Sequence, residues 1–273
     1  MDKIDLKILS LLQQRTELSR KIGETKRRHR AVIYVPERER ALMTRLVDQA
    51  KGMLPERALR AIYREIISSS RAEQGQAPIG VLKASAAAML LPGRWCFGAC
   101  DEFQPMSSWA TMAAGLEKGT LAVALLSGKE LAGVLASSKG RAAFSTRFQV
   151  AGDFSATATQ GKSPLSERIF VIMPRCEEVV AEANRLVILM ECKSIGNAVK
   201  RLSHLMSDRF LSIEQASISA SSTRGGSMAL VRLALAKPRA GAEAMNDLQT
   251  AARKADLTVS LLGVYPGTEN YGG

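Results

Sequence analysis

Residues 5–26, DLKILSLLQQRTELSRKIGETK, decide how the rest of the chain is read. Ile4, Ile8, Leu11, Leu18 and Ile22 recur at steps of four and three, the spacing of one helix face. Arg15 falls on that stripe, and Lys26, about three turns further at roughly 3.6 residues per turn, shares its face. A cation on an apolar seam is costly unless a carboxylate partner or an anionic ligand offsets its desolvation. Taken alone, the stretch fits two snorkelling or ion-paired side chains as well as it fits half of an anion site.

The pattern predicts a first helix from near residue 2 to about residue 29, ending in a cationic turn that suits the helix dipole. Such a helix spans roughly 40 Å, more than a small monomeric bundle covers, so a partner chain is expected to complete its burial. A second helix has Pro36 in its first turn and Gly52 just past its end. Its inward stripe is Glu39, Leu42, Met43, Leu46 and Ala50, while Arg38 points elsewhere. A third opens at Pro55 and carries Leu59, Ile62 and Ile66 on one face, continued by Ser70 and Gln74. Polar residues on the inward faces of three helices, Arg15, Lys26, Glu39, Ser70 and Gln74, predict a binding cavity inside a bundle.

The segments IDLKILSLLQQRTELSRKIGETK, YVPERER and IYREIISSSRAEQ resemble the all-helical chorismate mutase domain over nearly all of residues 2–76. The resemblance implies a first domain at 1–76, an all-α three-helix chain that forms an intertwined homodimer through helix one and converts chorismate to prephenate. It also implies roles. Arg15 would bind a substrate carboxylate, and Lys26 the ether oxygen with a carboxylate. Glu39 would hold the ring hydroxyl, Gln74 would donate to the ether oxygen, Ser70 would lie beside the ring carboxylate, and Arg38 would support the site.

Val35 stands where an acidic residue is common in the family, which can use backbone there. The position of an arginine that the family carries upstream of Asp5 falls before the first residue of this sequence; a partial substitution by Lys3 and a true start upstream of Met1 are both open. The residue types suit a pericyclic rearrangement, which needs a compact substrate conformer and stabilisation of charge growing on the ether oxygen. Such a reaction requires no nucleophile, metal or proton transfer, so neither metal nor cofactor is expected.

Residues 73–78, EQGQAP, read as a linker. Beyond it IGVL, AAAML, a helix over Ser107–Lys118, TLAVALL and RIFVIMP form an α/β alternation. Through CDEFQP, AAGLEKGTLAVALL and SERIFVIMP, residues 79–175 resemble a single α/β lobe of a prephenate dehydratase, a family with two lobes. Glu167, Arg168 and Ile169 replace the family's catalytic Thr-Arg-Phe, and Thr146, Arg147 and Phe148 spell that tripeptide upstream by coincidence. A degenerate lobe without dehydratase activity is expected.

Residues 186–266 read strand, helix, strand, strand, helix, strand, the ferredoxin-like βαββαβ order. Placed at 184–268, this domain resembles the ACT regulatory domain, with Gly196 matching its helix-opening glycine. Ser217, Ile218, Ser219 and Ala220 replace its phenylalanine-binding Glu-Ser-Arg-Pro, so phenylalanine feedback is not implied.

The composition agrees with a multidomain chain: 273 residues, 46% hydrophobic, have enough apolar material for two or three cores. No apolar run approaches the roughly 18 residues of a membrane helix, and the start MDKIDLK lacks a signal-peptide core, so a cytoplasmic location is expected. Cys96, Cys100, Cys176 and Cys192 form no CxxC pair, His29 and His204 are far apart, and no zinc site is evident. Of the net charge of +12, residues 1–78 contribute +7, from 17 Lys and Arg against 10 Asp and Glu. The cluster Lys26–Arg30 has no interleaved aromatics to stack on bases, so an anionic small molecule is expected before nucleic acid. A mutase with a degenerate lobe is the leading reading. A noncatalytic regulator of the same fold and a bifunctional mutase and dehydratase remain open beside it.

Overall fold

The computed structural model describes residues 1–29, 31–155, 167–175, 183–192, 194–205, 210–218, 227–239 and 241–266. The chain divides into two compact units, one ending at Ala122 and the other beginning at Val123. The division lies inside the 79–175 segment.

In the first unit, α1 runs Asp2–Arg28, with Asp2 and Asp5 in its first turn and Lys26, Arg27 and Arg28 in its last, charges that complement the helix dipole at both ends. Helix α2 spans Pro36–Ala50; Pro36 supplies the preset φ of a first turn, and Lys51 in the left-handed region ends it. Helix α3 spans Glu56–Gln74 and stops at Gly75, whose φ of 79° is cheap only for glycine.

The face of α1 that packs within the chain is not the apolar stripe. Its buried residues are Ser19 and Gly23, flanked by half-buried Arg15 and Lys26. Small residues win here because the backbones come together: a Cβ on Gly23 would lie 2.6 Å from Gln74 Cα and 2.7 Å from the Gln74 carbonyl oxygen. Larger apolar side chains therefore turn outward, Leu11 at 64% and Leu18 at 58% exposure, with Ile4, Ile8 and Ile22 also exposed.

Gly23→Ala tests this close approach. Alanine in an open helix interior would add about 1 kcal/mol of stability, whereas a methyl driven into backbone costs about 1–3 kcal/mol. A lowered thermal midpoint is expected; a raised one would refute the contact.

The inward face of α3 is also rotated from the expected one. Leu59, Ile67, Ser68, Ser70 and Arg71 are buried, whereas Ile62 is 50% exposed. On α2 the expected stripe is kept: Met43 is buried and Glu39, Leu42, Leu46 and Ala50 are half-buried.

After the helices, β1 (Ile79–Leu82) and β2 (Phe103–Met106) pair in parallel, Ile79 opposite Phe103. They are joined by α4, Ala86–Phe97. AAAML is the opening of that helix, not a separate short run. Helix α5 spans Trp109–Lys118, starting at a capping box of Ser108 and Thr111 and ending at Gly119 with φ 70°.

In the second unit, β3 (Val123–Ser127), α6 (Gly128–Ala136), α7 (Ser138–Thr146), β4 (Phe148–Phe154) and β5 (Ile169–Pro174) follow in order. Strand β5 pairs antiparallel with both β3 and β4. Both faces of β5 are covered, so Ile169–Met173 are all buried, the continuous apolar run expected of a central strand.

Then come β6 (Ala183–Cys192), α8 (Ile195–Leu205), β7 (Phe210–Ile218), β8 (Ser227–Arg239), α9 (Gly241–Lys254) and β9 (Thr258–Tyr265). These strands form an antiparallel sheet in the order β7-β8-β6-β9. Leu186, Ile188 and Met190 of β6 pack with Ala198 and Leu202 of α8 and Leu248 of α9, and Val187 and Leu189 between them are buried as well, on the other face of the strand. Ser219, Ala220 and residues 221–226 lie outside the described residues, as does Cys176.

Candidate active site

Helices α1 and α3 bring Arg15 and Ser70 to one backbone carbonyl. Arg15 Nη1 donates to the oxygen of Ile66 at 3.0 Å, and Ser70 Oγ donates to the same oxygen at 2.9 Å. Burial lowers the Arg15 pKa from its ordinary value, with Tyr63 acting the other way. Further along α1, Lys26 Nζ donates to the Ile33 carbonyl at 3.1 Å. Burial lowers its pKa, the charge of Arg38 lowers it further, and that of Glu39 opposes them. Among the described residues neither Arg15 nor Lys26 has a carboxylate within salt-bridge distance, so each half-buried cation is met by a neutral carbonyl. Between them on α1 lies Gly23, against which the backbone of Gln74 packs.

Val35 is the N-cap of α2 in an extended conformation, and its carbonyl oxygen accepts the amides of Arg38 and Glu39 at 3.1 and 3.3 Å. Its contribution to this end of the helix is therefore backbone, which a valine supplies as well as an acid. The Arg38 side chain is exposed. Arg15 and Ser70 are thus joined by a common acceptor, Lys26 is electrostatically linked to Glu39 and Arg38, and Gln74 sits at the helix crossing.

Glu39 is held by a residue that sequence reasoning passed over. Arg71 Nη1 donates to both Glu39 oxygens at 2.7 Å. The same guanidinium turns its other edge to Asp101, Nη2 to Oδ2 at 2.7 Å and Nε to Oδ1 at 3.3 Å, and also donates from Nη2 to the Phe97 carbonyl at 2.6 Å. Its side chain is 4% exposed and lies near the faces of Tyr34 and Phe97. Burial works against the charged form of Arg71, but Asp101 and Glu39 outweigh it and hold its pKa above the ordinary value.

Glu39 itself is raised, because burial outweighs the charge and hydrogen bonds of Arg71, with Asp101 adding to the rise and Lys26 opposing it. Asp101 also accepts Ser68 Oγ at 2.7 Å and Gln76 Nε2 at 2.8 Å. The neighbouring Cys96 thiol is pushed up to about 12 by burial, which keeps it protonated and unreactive. An available clue to Arg71 was its i+3 spacing from Ser68 and i+4 spacing from Ile67 on a polar turn, too weak to separate it from the solvated arginines around it.

Of the two dehydratase-like tripeptide positions, Thr146 ends α7, Arg147 lies over the Phe148 ring, and Phe148 is buried at the start of β4. Arg168, ahead of β5, is paired with Asp153, which is buried and also accepts Arg232 Nε at 3.2 Å and Tyr265 Oη at 2.6 Å. Among the described residues no group of His, Cys, Asp and Glu is arranged to hold a metal, and no helix is long and apolar enough to cross a membrane.

A pair of inward cations facing neutral acceptors, with a hydroxyl and a carboxamide on the opposing helix, suits a small anionic ligand. Residues 1–75 match the family model for chorismate mutase type II. The chain is 44% identical over 73 residues to a bifunctional chorismate mutase/prephenate dehydratase of Aquifex aeolicus (strain VF5), covering 25% of this chain and 20% of that protein. It is 37% identical over 82 residues to the protein so named in Neisseria gonorrhoeae (strain ATCC 700825 / FA 1090), covering 30% and 22%. The matches thus span about a fifth of the length of these relatives. A prephenate dehydratase structure from Streptococcus mutans superimposes at 12% identity and a TM-score of 0.43, over 70% of this chain and 98% of that one. The match to the chorismate mutase type II model thus covers the helical N-terminal segment, and a mixed α/β region follows it.

Proposed function

We propose that the chain is a chorismate mutase that rearranges chorismate to prephenate for aromatic amino acid biosynthesis, working in the cytoplasm as a homodimer. The observation that carries this reading is the pair of half-buried cations, Arg15 and Lys26, with carbonyl groups as their partners. Arg15 binds a substrate carboxylate beside Ser70. Lys26 and Gln74 meet the ether oxygen, Glu39 takes the ring hydroxyl, and Arg38 and the Val35 backbone support the site. Catalysis comes from holding a compact conformer and from fixed donors aimed at the charge that develops as the C–O bond breaks.

The exposed stripe Ile4, Ile8, Leu11, Leu18 and Ile22 supports the dimer, since a contiguous apolar face on a 27-residue helix is stabilised by a second copy laid against it. The helical domain is assigned to 1–76, the lobe to 79–175 and an ACT-like, ferredoxin-like domain to 184–268. Arg168 is committed to Asp153, so the lobe is assigned no dehydratase activity.

The test is direct. Purified chain should consume chorismate in a continuous absorbance assay, form no phenylpyruvate from added prephenate, and sediment as a dimer. Absence of turnover in the dimer would overturn the mutase assignment, and phenylpyruvate would overturn that of the lobe.

A further inference from the structure

Arg71 touches both a carboxylate of the proposed mutase site and a carboxylate well outside it. On one side lies Glu39 of α2, accepting through both oxygens. On the other lies Asp101, in the CDEFQP segment that leads into β2. Asp101 is itself seated by Ser68 and Gln76, and the Ser68 hydroxyl accepts the Cys100 amide at 3.1 Å, so the segment is pinned to α3 by side chain and backbone together. Next to it, Ala99 N donates to Glu65 at 2.8 Å and Arg64 donates to the Trp95 carbonyl at 3.0 Å.

One guanidinium has a fixed fork geometry and a single charge to divide between two carboxylates. A displacement of Asp101 therefore rotates the fork, and with it the oxygens of Glu39. Taking the mutase reading of this site, we propose that Arg71 is a positioning residue that sets the orientation and charge of Glu39, and that Asp101 makes this setting depend on the seating of the segment before β2.

Several charged and titratable groups act on Glu39 or its partners: Arg71 from α3, Lys26 from α1 with Arg38 acting on it, Asp101 from the segment before β2, and the Cys96 thiol of α4 beside them. Their signs make the prediction specific. Asp101→Asn removes a negative charge and leaves the guanidinium to Glu39, so the Glu39 carboxyl should titrate at lower pH than in the native chain. Arg71→Gln removes the cation, so it should titrate at higher pH. Both variants should lose on the order of 10-fold to 100-fold in kcat/KM, the scale of loss when a site group is misplaced by about 1 Å. The acid limb of the pH profile should follow the carboxyl in each.

The experiment is a 13C NMR titration of the glutamate carboxyls in the full chain, with Glu39→Gln identifying the Glu39 signal. Opposite displacements in the two variants support the proposal. An unmoved signal in folded Asp101→Asn overturns it. If Arg71→Gln does not fold, the near-isosteric Asp101→Asn still decides. The titration needs no turnover, so a native chain inactive on chorismate would defeat the mutase reading while the titration still judges the coupling.

Discussion

Arg15→Ala is expected to lower kcat/KM for chorismate by on the order of 100-fold to 1000-fold, the usual cost of removing one fixed donor that meets developing or bound anionic charge. The size of the effect follows from the surroundings. Arg15 is half-buried, its pKa is lowered by desolvation, and its partner is the Ile66 carbonyl, so among the described residues no carboxylate pairs with the cation. Removing it should be cheap for folding, because no buried carboxylate is left behind. Arg15→Lys keeps the charge but loses the fork and should recover only part of the rate. Steady-state kinetics on folded variants provides the check. A change of less than about 3-fold in Arg15→Ala, well below the cost of one fixed donor, would mean that Arg15 does not bind the substrate.

Asp153→Ala should be the most destabilising single change in the second unit, costing about 3–5 kcal/mol, as expected when one partner of a buried ion pair is removed. Asp153 joins β4 to three other places in the sequence: Arg168 ahead of β5, Arg232 on β8 and Tyr265 on β9. Its side chain is 1% exposed. Without it, two guanidinium groups and a buried phenol would lose a shared acceptor at once. Burial and the charge of Asp153 together raise the Tyr265 pKa well above its ordinary value, so the phenol stays a donor. Equilibrium denaturation would read the loss as a fall in midpoint. A fall equivalent to less than about 1 kcal/mol, the worth of an exposed pair, would show that the cluster is not a structural weld.

The same cluster bears on the lobe proposed at residues 79–175. Arg168 occupies the middle of the tripeptide position in the sequence comparison, where a catalytic role would require it to face a ligand. In the structure it faces Asp153. A one-dimensional motif comparison sees the arginine and cannot see its acceptor, 15 residues earlier on the neighbouring strand.

Periodicity and punctuation carried the helical segment well. Asp2–Arg28, Pro36–Ala50 and Glu56–Gln74 lie close to the expected bounds, because Pro36 and Pro55 open helices and Gly52 and Gly75 sit just past their ends. The strand–helix order of residues 183–265 was also legible, since sheet alternation and helix spacing are local properties of the chain. The helix faces were less so. An apolar stripe reports a surface to be covered, not which chain covers it. Ser19 and Gly23 took the intrachain contact with α3 because only small residues allow backbones to approach that closely.

For the long first helix, then, the sequence by itself determined its length, its limits, the spacing of Arg15 and Lys26, and the resemblance that gives them a chemistry. Tertiary structure alone decided that these cations meet carbonyls instead of carboxylates, and that Glu39 shares Arg71 with Asp101. The physical reason is range. Helix periodicity is written in steps of three and four residues, whereas the pairing of a buried charge depends on groups about 30 residues away, such as Glu39 and Asp101 around Arg71, whose approach is set by packing.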